Sequence, residues 1–89
     1  MIRKKIYYSG RVQGVGFRAT TLEISAKYPV AGYVRNLPDG RVELRVEGTE
    51  EAVNAFLDEV KKTLGDYIKD VQISEDRAEE AFREFSIRR

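Results

Sequence analysis

The sharpest alternation in the chain runs through Val42, Leu44 and Val46, which Glu43 and Arg45 separate and Arg41 and Glu47 flank. A period of two predicts a strand with one face on the core and the other in solvent. Just before it, Val30 to Asn36 reads as another strand. Pro38-Asp39-Gly40 between them is a strong turn signal, because Pro presets φ and Gly supplies a positive one, so the two strands form a β-hairpin. Downstream, Val53, Phe56, Leu57, Val60 and Leu64 recur at helical spacing. Thr49 stands at the N-cap of this helix, Glu50 and Glu51 in its first turn, Lys61 and Lys62 in its last, and Gly65 at its end. Caps and charges in that order match the helix dipole.

Upstream, Ile6 to Val12 puts Ile6, Tyr8, Gly10 and Val12 on one parity and predicts the first strand. Gln13-Gly14-Val15-Gly16 interrupts it. A helix is expected from about Phe17 to Lys27, with Phe17, Thr21, Ile24, Ser25 and Tyr28 as its buried stripe. Leu22 lies off that stripe, on the exposed side, and Pro29 stops the helix. Ile68 to Ile73 gives a further strand, Ser74 to Arg83 a charged connection, and Phe85-Ser86-Ile87 a short final strand. The order is β-α-β-β-α-β plus a tail strand. It predicts an α+β, ferredoxin-like split β-α-β sandwich with two helices on one face of a mostly antiparallel sheet. No repeat or linker divides the chain, so residues 1–89 read as a single domain. Such a fold hosts many functions and by itself argues for none.

Composition narrows the chemistry. With 89 residues, 42% hydrophobic and 35% charged, there is material for one core, and the chain is neither disordered nor membrane-spanning. Sixteen Lys and Arg against fifteen Asp and Glu leave a net charge of +1, so a sequence-blind grip on nucleic acid is not implied. Cys is absent, which removes disulfides, thiol nucleophiles and thiolate metal sites. His is absent too, leaving no imidazole as general base, metal ligand or phosphoryl acceptor. The basic start, Met1 to Lys5, leads into a segment too short and polar for a signal-peptide core, so a cytoplasmic protein is expected.

Chemistry concentrates in Gly10-Arg11-Val12-Gln13-Gly14-Val15-Gly16-Phe17-Arg18. A strand running through a glycine-containing loop into a helix can turn successive backbone N–H groups inward around an anion, at the positive end of the helix. Arg18, in the first turn, adds a planar fork that matches two phosphoryl oxygens. A tight connection with solvated arginines is the plainer account of the same stretch, and spacing alone does not separate the two. No Gly-Lys-Ser/Thr follows, so this is not a nucleotide loop of the Walker type. Asn36 is the second candidate. The first helix returns the chain so that the second strand runs parallel to the first, which brings Asn36 and the glycine loop to one edge of the sheet. A cap on the hairpin turn explains Asn36 equally well.

Together these residues resemble the signature of the acylphosphatase family: residues 10–18, then Gly32-Tyr33-Val34-Arg35-Asn36-Leu37-Pro38-Asp39-Gly40, then Val42, Glu47-Gly48 and a Phe85-Ser86-Ile87-Arg88 tail. The resemblance spans the chain. It implies a ferredoxin-like fold and metal-independent hydrolysis of the carboxyl–phosphate bond of small acyl phosphates, without a cofactor. It also implies that Arg18 binds the phosphoryl group, that Asn36 positions the attacking water, and that Gln13, Gly14, Val15, Gly16 and Phe17 form the phosphate-binding loop. Ala19 and Thr20 stand where the family commonly has bulky aromatics, and Pro29 where it often has glycine. A similar domain opens a larger maturation protein that handles carbamoyl phosphate; at 89 residues this chain is expected to be a free-standing, monomeric enzyme.

The alternative is a non-catalytic phosphate- or anion-binding module, or one that binds RNA by stacking bases on exposed rings, for which Tyr7 and Tyr33 are the candidates. No basic run with interleaved aromatics supports the RNA reading, and neither nucleic acid nor a membrane is an expected partner.

Overall fold

The computed structural model describes residues 1–77 and 81–89. Five strands and two helices follow in the order β1 (Ile2–Gly10), α1 (Phe17–Ser25), β2 (Ala31–Asn36), β3 (Val42–Gly48), α2 (Glu50–Leu64), β4 (Ile68–Glu75) and β5 (Phe85–Arg88). The sheet order is β4-β1-β3-β2-β5. All pairings are antiparallel except β2 with β5. This is the expected arrangement. Its core lies on the face that carries Ile6, Tyr8, Val34, Val42, Leu44 and Val46, against Phe17 and Ile24 of α1 and Val53, Phe56, Val60 and Leu64 of α2.

The helices form for the anticipated reasons. Thr49 caps α2 by accepting the Ala52 N–H at 3.1 Å, and the Val53-Phe56-Val60-Leu64 stripe is buried. Gly65, however, keeps a right-handed φ of −58°, so the chain runs on into a 3-10 turn over Gly65–Tyr67 instead of stopping in a left-handed cap. Helix α1 buries Phe17, Thr21, Ile24 and Ser25 and exposes Leu22. It ends at Ser25 and not at Lys27, because the N–H groups of Ala26, Lys27 and Tyr28 reach carbonyls three residues back as the chain tightens toward Pro29.

Several strand boundaries differ from the sequence reading. β1 starts at Ile2, four residues early, because it pairs along its length with β3 on one side and with β4 from Lys4 onward. Two ladders outweigh the poor strand propensity of its lysines. Val12 lies beyond the strand yet is fully buried. β4 continues to Glu75, and β5 reaches Arg88. Of the expected charged connection, Ser74 and Glu75 thus belong to a strand, and residues 78–80 fall outside the described residues. Phe82 is no part of a solvated loop: the Arg3 guanidinium sits 3.9 Å from its ring centre, and Tyr33 meets it edge-on at 5.8 Å.

The expected solvated face of β3 is the main correction. Glu43 is only 2% exposed. The ladders set Tyr7 and Arg35 directly across from it. Its Oε1 accepts from Arg35 Nε at 2.6 Å and Tyr33 OH at 3.0 Å, and its Oε2 accepts from Tyr7 OH at 3.2 Å. A buried carboxylate is tolerable only when so paired. Burial alone would raise the Glu43 carboxyl, but the Arg35 and Tyr33 hydrogen bonds and the nearby Arg45 charge hold it below the ordinary glutamate value.

A depressed folded-state value means that Glu43 stabilises the fold at neutral pH, and that this is lost as pH falls from about 4.3 through the lower folded value. Glu43→Gln is expected to cost about 1.5–3 kcal/mol at pH 7. The gap to the parent should narrow below pH ~4 as the parent carboxyl takes up its proton. Urea titrations at several pH values check this; a gap constant with pH would show that the ion pair carries none of the difference.

Candidate active site

Because β1 and β2 each run antiparallel to β3, they run parallel to each other, and both end at the same edge of the sheet. From the end of β1, residues 11–16 lead into α1. Gly14 and Gly16 adopt φ of 79° and 76°, the left-handed region in which a side chain is strained. Gly16 is the N-cap of α1 and provides no side chain to satisfy the helix end. The first helical bond runs from Thr20 N–H to Gly16 O at 2.9 Å, so the N–H groups of Phe17, Arg18 and Ala19 have no intrahelical acceptor. The first turn of α1 holds no acidic residue, whereas α2 opens with Glu50 and Glu51. The α1 terminus thus keeps its full positive end for an anion from outside.

This edge holds a cavity of about 370 Å³ whose walls include Gly14, Gly16, Phe17, Arg18 and Asn36. Among the described residues, Arg18 makes no ion pair with a carboxylate. Asn36 ends β2 across from Val42, and its Oδ1 is buried without a hydrogen-bond partner among the described residues. A buried acceptor in that state has lone pairs to offer an incoming donor. Phe17 contributes backbone only: its ring is 2% exposed and tilts against Tyr8 at 5.2 Å.

Of the loop residues, the structure brings Gly14, Gly16 and Phe17 to the cavity wall, but not Gln13 or Val15. Val15 faces outward, 36% exposed. The Gln13 amide donates to Leu37 O at 2.8 Å and Arg41 O at 3.0 Å, across on the β2–β3 turn. Ile87 and Arg89 also line the cavity, which the sequence reading missed. The available signal was the tail strand: once β5 lies beside β2, its end must reach the edge where β2 ends.

A larger cleft of about 770 Å³ lies on the opposite, helix-free face of the sheet and is lined by Arg3, Tyr33, Arg45, Phe82 and Arg88, among others. Its cations are largely engaged. Arg3 pairs with Glu47 at 3.0 Å, Arg45 with Asp76 at 3.2 Å, and Arg88 stacks on Tyr33 at 4.1 Å. The same contacts cover the Tyr33 ring, which is 5% exposed, so it offers no platform for a base. Among the described residues, no group of three or more Asp, Glu, His or Cys is placed to hold a metal ion.

The acylphosphatase family model matches residues 4–87. An acylphosphatase of Bacillus licheniformis is 39% identical over 88 residues, covering 98% of this chain and 98% of its own. The crystal structure of an acylphosphatase from Bacillus subtilis superposes with a TM-score of 0.88 at 37% identity, covering all of both chains. HypF of T. kodakarensis matches at a TM-score of 0.87 and 32% identity, with 100% of this chain covering 12% of that one.

The left-handed glycines lead to a test of the loop by itself. Apart from the adjoining residues, no described atom lies within 4 Å of a Cβ placed on Gly14 or Gly16, so alanine meets strain but no clash. Gly16→Ala is expected to cost about 1–2 kcal/mol through its φ alone. Chemical denaturation reads this directly, and a stabilised variant would show that the left-handed geometry is not held in solution.

Proposed function

The chain belongs to the acylphosphatase family and acts as an acylphosphatase, and we propose that it hydrolyses small acyl phosphates at the cavity where the ends of β1, β2 and β5 meet. One observation carries the reading. Among the described residues, a helix end without acidic residues in its first turn, an arginine without a carboxylate partner and a buried asparagine oxygen without a donor share one cavity. Neither a structural loop nor a turn cap calls for that combination.

In this mechanism the N–H groups of the loop and of the first turn of α1, with the Arg18 guanidinium, hold the phosphoryl oxygens. The Asn36 side chain orients a water in line with the bond to be broken. Water oxygen bonds to phosphorus, the phosphorus–acyl oxygen bond breaks, and the acyl group leaves as a carboxylate. The water proton passes to a phosphoryl oxygen, giving inorganic phosphate. Phosphoryl transfer asks chiefly for positioning and charge stabilisation, and a carboxylate leaves without a strong general acid, so a chain without His is adequate. The chain works as a cytoplasmic monomer in this reading. No described helix is long and apolar enough to cross a membrane.

Benzoyl phosphate is expected to turn over, a phosphate monoester scarcely, and activity to persist in EDTA. Equal rates on both substrates would undo the acyl-phosphate assignment, and activity lost to EDTA and restored by metal would undo the mechanism. Arg18→Ala should weaken inhibition by inorganic phosphate by about 10- to 100-fold, the equivalent of ~1.5–3 kcal/mol, and abolish turnover. Arg18→Lys should rescue poorly, because a point charge lacks the fork. Asn36→Ala should lower kcat sharply while the phosphate inhibition constant holds, because its contact is needed only along the reaction path. A destabilised Asn36→Ala protein with full kcat would return Asn36 to the role of a turn cap.

A further inference from the structure

We infer that Gln13 is a positioning residue that fixes the Asn36 side chain relative to the phosphoryl cradle; this rests on the role of Asn36 proposed above. Gln13 precedes Gly14 on the cavity wall, and Leu37 follows Asn36. Its Nε2 carries two N–H donors, and both are used: one on Leu37 O at 2.8 Å, the other on Arg41 O at 3.0 Å. Those two carbonyls form the neck of the β2–β3 turn. Arg41 O also accepts from Leu37 N–H at 2.8 Å, and Leu37 O from Gly40 N–H at 3.1 Å. Each carbonyl therefore receives one main-chain donor and one from Gln13, which fills both of its lone pairs.

Among the described residues, no other hydrogen bond joins residues 11–16 to residues 36–42. The cradle hangs from the end of β1 and the amide from the end of β2, with β3 between them. Asn36 is held in the last rung of its ladder, opposite Val42, whereas residues 11–16 run on beyond the last β1–β3 rung at Tyr8↔Val42. The Gln13 amide is what ties that loop to the turn that starts at Asn36. In-line attack tolerates little error, since a misplacement of about 1 Å costs on the order of 100-fold in rate. Gln13 does not line the cavity, so it works through Asn36 and not on the substrate.

Gln13→Met keeps the length of the arm and deletes both donors. The expected result is a kcat on benzoyl phosphate lowered by about 10- to 100-fold, with the inhibition constant of inorganic phosphate unchanged. The double variant Gln13→Met/Asn36→Ala should be no slower than Asn36→Ala alone, because Gln13 has nothing to act through once the amide is gone. Gln13→Asn, which retains the amide on a shorter arm, carries the same test if the Met variant does not fold. Full kcat in folded Gln13→Met, a parallel loss of phosphate inhibition, or losses that multiply in the double variant would each overturn the inference. If Asn36→Ala itself keeps full kcat, the reading of Asn36 fails and this one with it. If Asn36→Ala is slow while Gln13→Met is not, only the role of Gln13 fails.

Discussion

β3 lies between β1 and β2 and pairs antiparallel with both. That one constraint makes its two neighbours parallel and delivers their last residues to a common edge. A loop that presents main-chain N–H groups and a strand that ends in an amide then need only short extensions to share a cavity. The crossover through α1 adds the positive end of a helix at the same place. The site is a product of topology first and of side chains second, which is why so few side chains suffice.

The two faces of the sheet handle charge in opposite ways. On the helix-free face, carboxylates and guanidinium groups cancel locally: Glu43 under Tyr7, Tyr33 and Arg35, Arg3 against Glu47, and Arg45 against Asp76. At the cavity edge, no such cancellation occurs among the described residues. Arg18 and the α1 terminus stand without acidic neighbours in their own helical turn. A chain with a net charge of only +1 thus concentrates a positive field at one small site.

Much of this was legible from residues alone. The Val42-Leu44-Val46 alternation, the Thr49 cap and the helical stripes depend on local periodicity, and periodicity survives folding. So does the convergence of the glycine loop and Asn36, because a helical return between two strands makes them parallel and ends them on the same side. What escaped depends on partners distant in sequence. Alternation placed Glu43 on an outward face, but could not show that two tyrosines and Phe82 would roof that face over. The early start of β1 follows from having partners on both sides. The Gln13 amide finds its acceptors 24 and 28 residues away, across a turn whose neck carbonyls have no sequence signature.

The cavity wall that comes from β5 has its own consequence for when the site exists. β5 is four residues long and, among the described residues, pairs with β2 alone. It follows the other four strands in chain order, so those four can pair before the cavity has its third side. In the finished protein a short edge strand is among the first parts to open and the last to close. The loop and Arg18 follow β1, which is laddered on both sides, while Ile87 belongs to a strand paired with β2 at the end of the sheet order. The doubly held and the singly held parts of the cavity wall thus belong to different strands.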